Sequence, residues 1–237
     1  MKRFRALIFD VDGTLADTEE IHRRAFNETF AYFDLGWEWG VALYTDLLKV
    51  AGGKERIRQF VRLNPRCGHD ISDGEIAELH RFKTERYTQL VASGACSLRP
   101  GVAEAIHAAA ARRQRLAIAT TTARPNVEAL LSATLGSGGV GLFSAIVAGD
   151  EVRQKKPAPD VYLKVLRLLE TPNHKCLAIE DSRNGFVAAS RAGIATLITR
   201  SAYFREEEFS GAFAIIDSLN ELDDFEIPVE CGGNCPR

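Results

Sequence analysis

The chain has 237 residues, 46% of them hydrophobic and 26% charged, with a formal net charge of −2 and a pI near 6.2. This is an ordinary globular balance with no basic footprint for nucleic acid. No apolar run reaches the roughly 18 residues of a membrane span, and no stretch of signal-peptide length follows the opening MKRFR, so nucleic-acid and membrane partners are excluded and a cytoplasmic location is expected. Five scattered cysteines, Cys67, Cys96, Cys176, Cys231 and Cys235, fit reduced thiols better than a disulfide framework. Cys231 and Cys235 cannot complete a tetrahedral zinc site by themselves, and residues 226–237 are expected to form a loose tail.

The first predicted element is a strand over residues 4–9, running straight into Asp10 and Asp12. Period-two geometry points both carboxylates the same way. At an effective dielectric of about 20, two like charges roughly 4 Å apart repel by about 4 kcal/mol. The pair therefore implies a bound cation, a shared proton or a reacting group; the alternative is a solvated Asx turn closed by Gly13.

Residues 17–94 read differently, as nearly continuous helix: Thr18 is an N-cap for IHRRAFNETFAYF, and GEIAELHRFKTERYTQLV follows later. This block is expected to be a helical cap domain inserted into a core made of residues 1–16 and 95–225, hinged near Leu15–Asp17 and Ser93–Gly101. Within it, Gly52, Gly53, Lys54, Glu55 and Arg56 cluster at a helix start, an arrangement suited to an anion. The alternative is a turn and a solvated helix end.

From residue 98 onward, strands alternate with helices. The strands are Leu116–Thr120, Ala145–Ala148, Cys176–Glu180, Ala195–Thr199 and Ala214–Asp217; the helices are Val102–Arg113, Pro125–Leu135, Pro159–Leu169 and Arg183–Ala192. Apolar strands in this alternation predict an α/β fold with a doubly wound parallel sheet. Gly136, Gly138 and Gly141 spell GxGxxG, but after a helix and before a strand, so a helix C-cap and loop is expected there. In such a sheet the strand C-termini meet in one crevice. They would bring together Asp10 and Asp12, the run Thr120–Thr122, Lys155 and Lys156, and Glu180, Asp181 and Ser182.

DVDGT, the threonine ending the second core strand, the lysine of KKPAPD, and EDS resemble the four motifs of the haloacid dehalogenase (HAD) superfamily, in its branch with a helical cap after the first strand. The resemblance implies Asp10 as nucleophile and Asp12 as general acid and base, with Thr120 and Thr121 holding phosphate oxygens and Lys156 neutralising charge. It further implies Mg2+ held by Asp10, Asp181 and the carbonyl of Asp12, with Glu180 orienting the metal site. If the core takes one phosphate, the Lys54/Arg56 cluster would take a second, and Glu19, His22, Tyr44 and Lys83 become candidates for contacts to a sugar.

The segments ADTEEIHRRAFNETF, GGKERI, HRFKTER and ATTTARPNVEAL are similar to the CbbY-type phosphatases of that superfamily. This similarity implies an enzyme taking a small-molecule sugar phosphate, xylulose 1,5-bisphosphate, with Glu19, Tyr44 and Gly52–Arg56 gripping it; a monomer is expected. Asp17 departs from the usual glutamate, and Arg124 would add charge near the phosphate pocket. The rival readings are a β-phosphoglucomutase, a phosphoglycolate phosphatase and, outside enzymes, a receiver-like module phosphorylated on aspartate.

Overall fold

The structure is a computed structural model that describes residues 3–64 and 71–221. Cys67 and the expected tail with Cys231 and Cys235 lie outside the described residues.

Strands β1 (Ala6–Phe9), β2 (Arg115–Ala119), β3 (Ala145–Val147), β4 (Cys176–Glu180), β5 (Ala195–Thr199) and β6 (Ala214–Ile216) form a parallel sheet in the order β3-β2-β1-β4-β5-β6. Both faces are covered, which is why the strands read as continuous apolar runs. Leu7 and Phe9 point into the core shared with helices α5 (Val102–Ala111) and α6 (Arg124–Leu135). Ala6 and Ile8 point the other way, toward α7 (Asp160–Leu169) and α8 (Arg183–Arg191), where Ala117, Ala178, Ala188 and Ala189 let the helices pack closely.

Phe9 pairs with Ile118 on β2 and with Ile179 on β4. The residues just beyond, Asp10, Thr120 and Glu180–Asp181, therefore leave neighbouring strands at nearly one level. The sheet order turns back between β1 and β4, which is where a doubly wound sheet opens its ligand crevice.

Helices α1 (Glu19–Tyr32), α2 (Val41–Leu47), α3 (Gly53–Leu63) and α4 (Asp73–Ala92) follow β1 and build their own aromatic core from Phe26, Phe30, Trp37, Trp39, Tyr44 and Phe60. Ser72 caps α4 in a reciprocal capping box with Glu75. The two connections between this block and the sheet run side by side: Ala16 bridges Leu98, and the Arg99 N–H donates to the Leu15 carbonyl at 2.8 Å.

Several sequence-predicted boundaries move by one or two residues. The second strand opens at Arg115 and closes at Ala119, while Thr120 keeps a backbone bond to Val147 at 3.1 Å. Helix α5 ends at Ala111 rather than Arg113, because Arg113 adopts a left-handed backbone with φ 57°. Thr18 occupies the α1 cap position but makes no side-chain cap bond; its hydroxyl donates to Asp12 instead. Gly136 does end α6 in the left-handed region, with φ 79°.

Candidate active site

Asp10 lies at the end of β1, 7% exposed, and its Oδ1 accepts from Lys156 Nζ at 2.5 Å. The same ammonium donates to Glu180 Oε1 at 2.6 Å, and the Tyr162 hydroxyl donates to that oxygen as well. Asp181 is 1% exposed. Burial is the largest cause pushing the Asp10 carboxyl up, to about 8, with Glu180 and Asp12 adding to it against the opposing Lys156. Burial, with Asp10 nearby, raises Asp181 far above the usual carboxylate range.

Asp10, Glu180 and Asp181 each offer an oxygen within 4.8 Å of the others, all three residues being buried. Glu180 Oε2 and Asp181 Oδ2 have no hydrogen-bond partner. Buried acceptors are nearly always satisfied, so these two orphan oxygens are strong evidence of a missing partner. Hard carboxylate oxygens converging in a pocket suit a cation of the Mg2+ kind, and the cluster fits one. Backbone without side chains makes room for it. A Cβ on Gly13 would stand 1.9 Å from Asp181 Oδ2, and one on Gly185 would stand 1.9 Å from Glu180 Oε2.

Asp12 is held separately. Its Oδ1 accepts from Thr18 Oγ1 at 2.6 Å and contacts His22 Nε2 at 2.9 Å. Burial pushes this carboxyl up, but His22, Thr18 and Lys83 overcome it and hold it down at about 2. His22 Nδ1 meets Lys83 Nζ at 2.5 Å. A neutral imidazole protonated at Nε2 satisfies both contacts, and burial together with the Lys83 charge lowers the His22 pKa. The ring stacks on Tyr87 with centroids 4.1 Å apart.

Burial depresses Lys83 from 10.5 to about 7, opposed by Asp12 and Glu19 and helped by Arg56. Unfolded, this lysine keeps its proton up to about 10.5, so between pH 7 and 10.5 the unfolded chain binds more protons and stability rises with pH. Below pH 7 the folded state bears the whole desolvation cost. Lys83→Met, which fills the same space without a charge, is therefore expected to stabilise the protein by roughly 1–3 kcal/mol at pH 6 after the lost bond to His22 and the lost cation–π contacts with Phe26 and Tyr87 are discounted. Urea unfolding at pH 6 and pH 9 should show the gain shrinking at the higher pH; a pH-independent difference would remove the buried-ammonium account.

The cavity between sheet and helical block has a volume of about 80 Å³. Of the sequence-predicted site residues it is lined by Asp10, Asp12, Glu19, His22, Gly52, Gly53, Arg56, Lys83, Thr121, Lys156 and Asp181. Thr120, Tyr44, Lys54, Glu55 and Glu180 lie behind or beside it. The Thr120 hydroxyl accepts from the Thr122 N–H at 3.2 Å. Tyr44, fully buried, donates to Glu19 Oε2 at 2.8 Å and accepts from Arg56 Nη1 at 3.1 Å, so it fixes two lining side chains.

Lys54 turns to Asp150 at 3.6 Å and Glu55 to Lys155 at 2.9 Å, two pairs of opposite sense across the contact between block and core. Asn184 adds a bond to the Lys49 carbonyl at 3.2 Å. Arg124, read as a charge near the pocket, is instead committed to Glu151 at 2.6 Å and does not line the cavity.

The lining also includes Thr122 and Ser182, both expected at the strand ends, and His80, Asn126, Asn184 and Phe204, which sequence reasoning did not single out. His80 had a usable signal: it stands three residues before Lys83 on the same face of α4. Burial and the neighbouring lysines Lys83, Lys54 and Lys155 hold it down at about 3, so it is a neutral ring. Asn126 is 2% exposed, and its Oδ1 has no partner.

A buried carboxylate at a strand end, a second carboxylate two residues on, a lysine between two carboxylates and a cluster of hard oxygens now stand together at one cavity. Residues 4–193 match the family model described as haloacid dehalogenase-like hydrolase. The chain belongs to that family. It is an enzyme, a phosphatase of HAD type. Protein CbbY of Rhodobacter capsulatus is 51% identical over 224 residues, covering 94% of this chain and 97% of the relative. A crystal structure of mutant CbbY from Rhodobacter sphaeroides in complex with xylulose-(1,5)bisphosphate superposes with a TM-score of 0.87 at 48% identity, covering 92% of this chain and 96% of that one. A putative β-phosphoglucomutase from Thermotoga maritima is more distant, with a TM-score of 0.66 and 27% identity over 92% of this chain and 95% of that one. The HAD core has its Rossmann-like sheet here as in those neighbours, and among the described residues no helix is long and apolar enough to cross a membrane.

Proposed function

We propose that this HAD phosphatase is magnesium-dependent and removes one phosphoryl group from a sugar bisphosphate, xylulose 1,5-bisphosphate, leaving xylulose 5-phosphate. The observation that carries the reading is that one cavity has two cationic ends. Lys156 sits beside Asp10 on the core side; Arg56 and the N-terminus of α3 face it from the helical block. An anion at each end is what a bisphosphate supplies, and the CbbY neighbour bound to xylulose-(1,5)bisphosphate gives that chemistry a name.

Residues 17–94 act as a cap over a core of residues 1–16 and 95–225. The cavity is lined by both cap and core, so cap opening is the route by which a pentulose bisphosphate enters. Entry then means breaking the contacts of Lys54 with Asp150, Glu55 with Lys155 and Asn184 with Lys49.

In the reaction, a carboxylate oxygen of Asp10 attacks phosphorus, the ester P–O bond breaks, and an aspartyl-phosphate forms on Asp10. Asp12 gives its proton to the departing sugar oxygen. It is ionised in the empty site, and the arriving dianion raises its proton affinity. Asp12 then takes a proton from water, whose oxygen attacks phosphorus, breaking the P–O bond to Asp10 and releasing orthophosphate. Lys156 balances charge on the attacking carboxylate, and Thr120 and the Thr121 N–H orient the phosphoryl oxygens. Thr18 and His22 fix the Asp12 carboxyl. Mg2+, held by Asp10, Asp181 and the Asp12 carbonyl with Glu180 in support, would neutralise charge on the transferring phosphoryl group. Glu19 meets sugar hydroxyls, and Tyr44 acts through Glu19 and Arg56.

The test is phosphate release across sugar mono- and bisphosphates with Mg2+. Xylulose 1,5-bisphosphate should give the highest kcat/KM and xylulose 5-phosphate as product. Isomerisation of β-glucose 1-phosphate primed with a bisphosphate, without net phosphate release, would establish the mutase reading instead. Arg56→Ala should raise KM for the bisphosphate by about 10- to 100-fold, the loss of a charged hydrogen bond, with a far smaller effect on a monophosphate. Lys54→Ala, at a half-exposed ion pair, should change it only a few-fold. Equal losses on mono- and bisphosphate in Arg56→Ala would remove the second-phosphate assignment.

A further inference from the structure

At the pole of the sheet opposite the carboxylates lies a second cavity, of about 410 Å³, outside everything the phosphatase reaction uses. Its lining carries four arginines, Arg5, Arg112, Arg113 and Arg115, and a single acidic residue, Glu170. The chain as a whole carries a net charge of −2, with 30 basic against 32 acidic residues. A concavity with four guanidinium groups and one carboxylate thus runs against the charge of the molecule that contains it.

The backbone around this cavity is also unusual. Among the described residues three non-glycine residues have positive φ, and two of them, Arg113 at 57° and Glu170 at 45°, line this one cavity. Glycine is the residue that normally fills such positions, and a side chain there is strained. Arg113 follows the end of α5, where a glycine would end the helix at least as well.

The floor is rigid. Phe4 is 5% exposed, Gln114 Nε2 donates to the Phe4 carbonyl at 2.7 Å, and Thr171 Oγ1 donates to Leu169 O at 2.9 Å. Arg115 gives one N–H to the Leu169 carbonyl, which leaves a guanidinium with further donors in a planar fork. Arginine forks bind phosphate oxygens two at a time.

The geometry points to a second anion site at this pole, for a small molecule carrying two or more phosphoryl groups. A single phosphate would engage one or two guanidiniums; linked phosphoryl groups would span Arg5, Arg113 and Arg115. The site is remote from the reaction. Arg115 opens β2 and Thr120 follows its end, five residues on, or about 16 Å at a strand's rise. Arg5 stands in the same relation to Asp10 on β1. The site therefore sits at the far ends of the two strands that deliver the nucleophile and the phosphate-orienting hydroxyl.

The probe is inorganic tripolyphosphate, titrated calorimetrically into the full chain in metal-free buffer. A saturable equivalent is expected whose affinity falls about tenfold or more in Arg5→Ala and in Arg113→Gly, the loss of a charged hydrogen bond. Arg113→Gly also relieves the left-handed backbone, so its melting temperature should be equal to or above that of the native chain. Lower affinity without lower stability separates ligand binding from a structural role. The exposed cap variant Arg81→Ala should leave the isotherm unchanged, and Arg56→Ala should leave the equivalent that depends on Arg5 and Arg113 in place. Three results would each overturn the site: no saturable binding, loss of binding in Arg56→Ala with Arg113→Gly unaffected, or equal weakening by Arg81→Ala and Arg113→Gly. The second would put the anion in the catalytic cavity, and the third would reduce the effect to net charge.

Discussion

Asp10→Asn should lower turnover by about four to six orders of magnitude, the scale set by removing the nucleophile of a covalent mechanism. The amide keeps the shape of the side chain but not its nucleophilicity. The neighbouring carboxylates have other roles in this mechanism: Asp12 is tied to Thr18 and His22, and Glu180 and Asp181 belong to the cluster that would hold the metal. The fold should survive. Asp10 is one of three clustered buried carboxylates, two of which share the Lys156 ammonium, and burial with its acidic neighbours already disfavours its charge, so neutralising it relieves repulsion as it removes one bond to Lys156. Single-turnover phosphate release and a thermal melt on the same preparation check both halves. A kcat within tenfold of the native enzyme would withdraw the nucleophile from Asp10; inactivity with a collapsed melt would show a structural role.

The core of this site was readable because parallel strands and their ends obey strict geometry. The run ALIF had to be a strand, its register had to bring Asp10 beside the end of CLAIE, and the structure pairs Phe9 with Ile179 accordingly. The acidic cluster of Asp10, Glu180 and Asp181 follows from that register alone. The helical block obeys no such rule. GGKER marks a helix start, and α3 does begin at Gly53, but successive helix residues point about 100° apart. Which of Lys54, Glu55 and Arg56 faces inward depends on how α3 is rotated against the core, and sequence does not carry that rotation. Only Arg56 turned inward; its neighbours turned to Asp150 and Lys155 on the core. Asn126, Asn184 and Phe204 stayed invisible for a related reason. Each is a single residue with no partner at a telling spacing, brought to the cavity by the packing of α6, α8 and the loop after β5.

Lys156→Met should be the most damaging single change to stability in the core, costing about 3–5 kcal/mol, the range for removing one partner of a buried charge pair. Lys156 is 5% exposed, and its ammonium bonds Asp10 at 2.5 Å and Glu180 at 2.6 Å and lies 5.3 Å from the Tyr162 ring centre. Both carboxylates raise its pKa in spite of burial, which means that it is charged wherever the enzyme works. Methionine fills the space and leaves Asp10, Glu180 and Asp181 together with no counter-charge from that side chain. Two measurements tie the loss to electrostatics rather than packing. Adding Glu180→Gln to Lys156→Met should recover part of the stability, giving a coupling of about 1–3 kcal/mol in a double-mutant cycle. Mg2+ should stabilise Lys156→Met more than the native chain, because a cation binding among uncompensated carboxylates binds the folded state with more to neutralise. Additive losses in the cycle, or equal stabilisation of both proteins by Mg2+, would make Lys156 a space-filling residue and take charge neutralisation at the nucleophile out of the mechanism.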